Sequence, residues 1–174
     1  MNGLIIYKGR YGATSQYAHW LSKLSGMPET VSEAIITDEV RQCDLLVLGS
    51  SVYVGKLLLA RWMRRNVKLL AGKKIILFIV CGTTADETEA KEEIIMNNVP
   101  KEIRHTSEIF FLPGRIIHKN LSFTHRILLK VAGIFETNPA KKMALMEDWD
   151  KVQKENLDPV TDAIGRANQK MTVH

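Results

Sequence analysis

The sequence predicts an α/β fold in which a five-stranded, doubly wound parallel sheet carries helices on both faces, within a single domain spanning 1–174. Three observations predict it. Short apolar runs alternate along the chain with segments of helical periodicity, and such alternation gives right-handed βαβ units and a parallel sheet. The runs are apolar throughout rather than on alternate residues, as strands covered on both faces require. Finally, 174 residues with 45% hydrophobic and 25% charged side chains can bury one substantial core, and no repeat or Pro/Gly/Ser-rich linker divides them.

The elements follow in order. Leu4–Tyr7 is a short apolar strand that ends at a glycine-bearing loop. A helix opens near Thr14, with Tyr17, Ala18, Trp20, Leu21 and Leu24 at helical spacing and Gly26 at its end. A short strand is placed at Glu29–Ser32, and Asp44–Gly49 is the clearest buried strand. Leu57–Leu70 reads as one amphipathic helix, with Leu58, Trp62, Leu69 and Leu70 inside and Arg61, Arg64, Arg65 and Lys68 outside. Lys74–Val80 is a buried strand, Asp86–Met96 an acidic helix whose first-turn acids suit the helix dipole, and Ser107–Leu112 the last strand. The final third is read as helical, Leu121–Phe135 and then Trp149 to about Lys170, the last helix closing against the sheet.

In an open parallel sheet the ligand crevice lies beyond the carboxyl ends of the strands. Three strands here end in small, polar, glycine-containing loops that project from that edge. In the first, Gly9-Arg10-Tyr11-Gly12-Ala13-Thr14, backbone N–H groups, a helix N-terminus and a threonine hydroxyl can receive a phosphate, and glycines let the backbone approach it. Arg10 adds a positive charge. Taken alone, this loop is equally a plain strand-to-helix turn; three such loops in register carry the reading. The second, Ser50-Ser51-Val52-Tyr53-Val54-Gly55, offers hydroxyls and an aromatic ring that either stacks on a flat ligand or is an ordinary surface side chain. The third, Cys81-Gly82-Thr83-Thr84-Ala85, can run along a polar ring edge, although a cysteine at a strand end is more commonly a packing thiol.

No CxxC, HExxH, GxSxG or Walker motif is present, so neither a protein-held metal nor a nucleophilic triad is assigned and no side chain is nominated as catalytic. That pattern suits a protein whose cofactor carries the chemistry. Cys43 and Cys81 make no disulfide framework, and the apolar start lacks a basic leader, which together predict a reducing cytoplasm. The formal charge is +5 with a pI near 9.2. A surface of that sign favours acidic partners or is simply solvated.

At these residues the chain resembles the flavodoxin family and, within it, the menaquinone-dependent protoporphyrinogen oxidase branch. Tyr7-Lys8-Gly9-Arg10-Tyr11-Gly12-Ala13-Thr14 is similar to that branch's phosphate loop, and Gly49–Gly55 looks like its second flavin loop. His125–Lys130, Glu136-Thr137 and Asp148–Val152 look like its C-terminal helix, turn and helix start. The resemblance implies strand order 2-1-3-4-5, bound FMN and a cofactor site made of Gly9, Arg10, Tyr11, Gly12, Ala13, Thr14, Ser50, Ser51, Val52, Tyr53, Gly55, Cys81, Gly82, Thr83 and Thr84. There are departures. The usual phosphate loop of the family reads Ser/Thr-x-Thr-Gly-x-Thr, whereas Gly9 and Tyr11 replace two hydroxyl positions, so Arg10 and backbone amides must substitute. Tyr53 stands where the branch can carry a basic residue, and the third loop has no close match.

Two functions follow from the resemblance. One is an FMN oxidoreductase that oxidises protoporphyrinogen and passes electrons to a quinone. The other is a flavodoxin-like electron carrier without its own substrate; such carriers are typically acidic, and +5 counts against it. A flavin-free domain is a third alternative. The partners assigned are a redox partner or quinone and a porphyrin substrate, with no nucleic acid and the oligomeric state open. Residues 115–135 set Arg115, His118, Lys119, His125, Arg126 and Lys130 among apolar side chains. This segment reads either as a basic amphipathic helix resting on the inner membrane face or, the favoured alternative, as a core-facing helix with a solvated basic side.

Overall fold

The computed structural model describes residues 2–82 and 88–172, with side chains left aside at 140, 141 and 170–172. Five parallel strands form the central sheet: β1 (Gly3–Lys8), β2 (Glu29–Val31), β3 (Leu45–Tyr53), β5 (Lys74–Cys81) and β6 (Ser107–Pro113). Their spatial order is β2-β1-β3-β5-β6, the predicted order of the five predicted strands, and β4 (Lys56–Leu57) adds an antiparallel edge to β3. The register sets Tyr7 beside Gly49 and Gly49 beside Phe78. A Cβ at Gly49 would lie 2.2 Å from the Phe78 ring, so glycine is what lets that ring fill the core.

Side chains alternate between two cores, as the strand period of two dictates. One face puts Ile5, Val47, Ile76 and Phe78 against Tyr17 and Leu21 of α1 (Ala13–Ser25) and Val160 and Ile164 of α9 (Asp158–Thr172). The other puts Leu4, Ile6, Leu46, Leu48 and Leu77 against Val40 of α2 (Thr37–Arg41), Met63 of α3 (Ala60–Arg65), Leu70 of α4 (Val67–Leu70) and Ile103 of α6 (Lys101–Arg104). Ile94 and Ile95 of α5 (Thr88–Asn98) pack at that core's margin. α1 ends at Gly26, whose φ of 71° is the left-handed C-cap expected of glycine.

Three expectations are corrected. Leu57–Leu70 is not one helix. Leu57 is drawn into the β3–β4 hairpin, its N–H donating to Asn98 Oδ1 at 3.0 Å, while the Leu59 N–H donates to Ser50 Oγ at 3.1 Å. The remaining helix breaks at Asn66, whose Nδ2 donates to the Trp62 carbonyl at 2.9 Å. The second loop is shorter than expected: β3 runs on to Tyr53, and the turn is made by Val54 and Gly55 at φ of 50° and 68°, the double positive φ of a tight hairpin. Last, the helix expected from Trp149 starts at Asp158, where Pro159 takes the first-turn position that suits a proline. Trp149–Asp150 instead forms β8, antiparallel to β7 (Arg115–Ile116), and a 3-10 turn at Lys154–Leu157 leads into α9.

Between β7 and β8 the chain makes a second 3-10 turn at His118–Asn120 and a helical hairpin, α7 (Phe123–Phe135) and α8 (Pro139–Met146). Ser122 caps α7 by accepting from the His125 N–H. Residues 86 and 87 of the expected acidic helix lie outside the described residues; α5 runs on to Asn98.

Candidate functional site

The carboxyl ends of β1, β3, β5 and β6 surround a cavity of about 150 Å³. Of the residues expected there, Arg10, Tyr11, Ala13 and Thr14 line it from the first loop, Ser51, Val52 and Tyr53 from the second, and Cys81 and Gly82 from the third. Thr83 and Thr84 lie outside the described residues. Gly9, Gly12, Ser50 and Gly55 do not line it; the three glycines are exposed on the loops around it. Ser50 is fully buried, and its hydroxyl is spent on the Leu59 N–H and the Ser51 carbonyl.

The first loop is shaped by two glycines. A Cβ on Gly9 would come within 2.7 Å of Thr14 Cβ and 2.9 Å of its Oγ1, so glycine at 9 is what allows Thr14 to turn inward. Gly12 takes φ 86° at the N-cap of α1 and supplies no side-chain cap, which leaves first-turn N–H groups available to an anion. Thr14 is 1% exposed, and its Oγ1 has no hydrogen-bond partner; the Ser51 Oγ is likewise buried and unpartnered. Buried hydroxyls are nearly always bonded. Two unpartnered hydroxyls on adjacent loops beside an uncapped helix end form a donor set that fits an oxyanion.

The other wall was not legible as a site. Gly114, Arg115 and Ile116 follow β6, Leu121 and His125 come from the segment before and within α7, and Trp149 comes from β8. The Pro113-Gly114 stop of the fifth strand was a usable signal, since it lies at the same sheet edge as the three loops. The His125 ring stacks on Tyr11 with centroids 5.2 Å apart, meets Tyr53 edge-on at 4.9 Å, and its Nδ1 lies 2.9 Å from the Tyr11 hydroxyl. The Arg10 guanidinium sits 4.4 Å above the Tyr53 ring. Burial, then the positive charges of Arg10 and His118, hold the His125 imidazole below the usual histidine range, favouring its neutral form. Arg115 pairs with Asp150 at 3.5 Å and bonds Gln16. Tyr17 braces the walls together: its hydroxyl donates to the Pro113 carbonyl at 2.9 Å and accepts from Asn156 Nδ2 at 2.8 Å.

No carboxylate lines the cavity among the described residues, whereas Arg10 and Arg115 do. With Arg115 already paired to Asp150, the charge that suits the site to an anionic ligand is that of Arg10. Among the described residues no group of acids, histidines and cysteines is arranged to hold a metal. The cavity is smaller than the ~300–1,000 Å³ that enclose a drug-sized ligand. The end at Thr14 and Ser51 presents open donors, while the end at Tyr53 is crowded by the Tyr11–His125–Tyr53 stack.

A family model described as a flavodoxin domain matches residues 4–141. No curated protein matches the chain. Among solved structures, a flavodoxin from the domain Archaea aligns at 16% identity and TM-score 0.42, covering 69% of this chain and 88% of its own. Megasphaera elsdenii flavodoxin aligns at 19% and 0.46, covering 63% and 84%. The Trp repressor binding protein of Bacillus subtilis aligns at 14% and 0.42, covering 64% and 83%.

Proposed function

The chain belongs to the flavodoxin-domain family, a flavin-binding electron-transfer family, and from that premise we propose that its flavin is FMN, with the phosphate at Gly9–Thr14. The observation that carries this is the pair of buried, unpartnered hydroxyls, Thr14 Oγ1 and Ser51 Oγ, beside the uncapped start of α1. An anion held there would accept from both hydroxyls and from the first-turn N–H groups, with Arg10 adding charge. The isoalloxazine would take the end lined by Tyr53, Cys81, Gly82 and Trp149, once the His125 ring gives way. Bound flavin supplies the electron transfer itself. The protein's part is to seat the phosphate, keep carboxylates away from the ring and cover it with aromatic side chains.

The finer reading is an oxidoreductase that takes electrons from a reduced, carboxylate-bearing substrate and passes them to a quinone, with protoporphyrinogen the substrate to test first. The Arg10 guanidinium in the lining supports an anionic substrate. Purified protein should carry a yellow chromophore that is released as FMN on denaturation, and should oxidise protoporphyrinogen when a quinone is supplied. Release of FAD, or no flavin uptake by the ligand-free protein, overturns the cofactor assignment. FMN uptake without porphyrinogen oxidation, but with electron exchange with a flavodoxin reductase, replaces the oxidoreductase by the carrier.

A further inference from the structure

The α7–α8 hairpin stands apart from both cores: among the described residues, neither sheet face takes a side chain from it. Only Leu129 and Gly133 of α7 are buried. This departs from the core-facing alternative favoured by the sequence. Phe123, Ile127, Leu128, Val131, Ile134 and Phe135 are all exposed, Phe135 at 80%. Their spacing places them on one contiguous stripe, opposite the face that carries His125 and Leu129. Met143 and Met146 of α8 extend the apolar surface, and α8 approaches closely because Gly133 has no Cβ to meet Met146. Eight of the thirteen exposed large hydrophobic residues among the described ones lie within this hairpin. A patch of that kind marks an interaction surface.

The charge decides what kind. From Lys119 to Met146 the chain has five lysines and arginines and one acid, Glu136. Glu136 is turned to the interhelical corner, where it accepts from the Asn138 N–H at 2.8 Å. Arg126 and Lys130, one helical turn apart and both exposed, run along one border of the apolar stripe. No helix among the described residues is long and apolar enough to cross a membrane, and α7 has 13 residues against the ~20 that a span needs. A short helix with an apolar stripe edged by cations has the composition that lies in the plane of an anionic bilayer interface.

We propose that the α7–α8 hairpin docks the protein on an anionic membrane surface, with the α7 stripe in the headgroup–acyl boundary and Arg126 and Lys130 among the phosphates. Because His125 projects from the opposite side of the same helix onto Tyr11 and Tyr53, docking brings the cavity to the bilayer and gives a lipid-dissolved electron partner a short route to it. The inference rests on the hairpin and its charge, not on the identity of the cofactor.

The test is sedimentation of the full chain with vesicles of phosphatidylcholine alone or mixed equally with phosphatidylglycerol. Binding is expected to the mixed vesicles, weakened by salt, and about fivefold weaker for each of Arg126→Gln and Lys130→Gln. The variant Ile134→Glu/Phe135→Glu should abolish binding while leaving the far-ultraviolet spectrum and thermal midpoint unchanged, since both side chains are already exposed. No binding to the mixed vesicles at low salt overturns the proposal. So does binding that survives the Glu variant, which would make the attraction a general property of a basic protein. A wild-type dimer that the Glu variant converts to monomer, without vesicle binding, would instead make the hairpin a contact between copies of this chain.

Discussion

Thr14→Val should move two measurements in opposite directions. Valine has the shape of threonine with a methyl in place of the hydroxyl, so packing around the 1%-exposed side chain is kept. What is lost is an Oγ1 that bonds nothing within the protein. Burying an unpaired hydroxyl costs about 1–3 kcal/mol, and recovering part of that should stabilise the ligand-free protein by about 1 kcal/mol. For a chain of this size that is a rise of about 2–4 °C in thermal midpoint, read by circular dichroism. With FMN the sign reverses. A hydrogen bond to a charged group contributes about 1.5–3 kcal/mol, so the dissociation constant, read from flavin fluorescence quenching, should rise about 10- to 150-fold. Riboflavin, which has no phosphate, should bind wild type and variant alike. A variant less stable than wild type would show that the hydroxyl is satisfied internally. Equal losses for FMN and riboflavin would show that Thr14 does not meet the phosphate.

Three further outcomes follow from the geometry. Tyr17→Phe leaves the Pro113 carbonyl and Asn156 amide without their shared partner and should cost about 1–3 kcal/mol in urea unfolding, with FMN affinity falling as the β6 end loosens. Val54, exposed and β-branched at φ 50° in the β3–β4 turn, holds a conformation that asparagine adopts more readily, so Val54→Asn should raise stability by about 1 kcal/mol in the same assay. The third is a pH dependence at His125. Its folded pKa is depressed by burial first and by the Arg10 and His118 charges second, so the unfolded chain binds the proton more readily. Its contribution is fully kept above the ordinary histidine value of 6.5 and is lost as pH falls below it toward the folded value. Denaturation curves across that window should show wild type losing stability relative to His125→Gln; parallel curves refute the assignment.

What was legible in the sequence was what local pattern encodes. The apolar runs of β1, β3 and β5 have no reading other than strands covered on both sides, and the glycine-bearing stops after them mark a common edge whatever the tertiary details. The misread segments are those where a distant partner decides. Leu57 is held by Asn98, 41 residues away, and Trp149 pairs with Ile116 across the whole α7–α8 hairpin. Nothing in the local spacing at 57–70 or 149–157 reports such a pairing, so helical periodicity carried both readings. His125 is the sharpest instance: its ring contacts lie 114 residues away at Tyr11, and from sequence it is a histidine on a basic helix.

The Gly9–Thr14 loop also shows how a departure from the family pattern can leave a donor set that fits an anion. From sequence, Gly9 and Tyr11 look like two missing hydroxyls to be made good by Arg10. In the structure these three residues do different work. Gly9 clears the space that the Thr14 side chain occupies, since on this backbone a Cβ there would stand 2.7 Å from Thr14 Cβ, so a hydroxyl-bearing residue at 9 would require the loop or Thr14 to shift. The Tyr11 hydroxyl is taken by His125, and the Arg10 guanidinium lies over Tyr53 rather than deep in the loop. Arg10, expected from sequence to substitute for the lost hydroxyls, and Tyr11, at one of the hydroxyl positions, thus join an aromatic cluster with Tyr53 and His125, which ties that cluster to the Gly9–Thr14 loop. On the proposed reading the phosphate would be met by Thr14, Ser51 and the open first turn of α1. A loop poorer in hydroxyls than its relatives can still seat an anion because its remaining hydroxyls are buried and unpaired, and an unpaired buried donor gains more from an anion than a solvated one does.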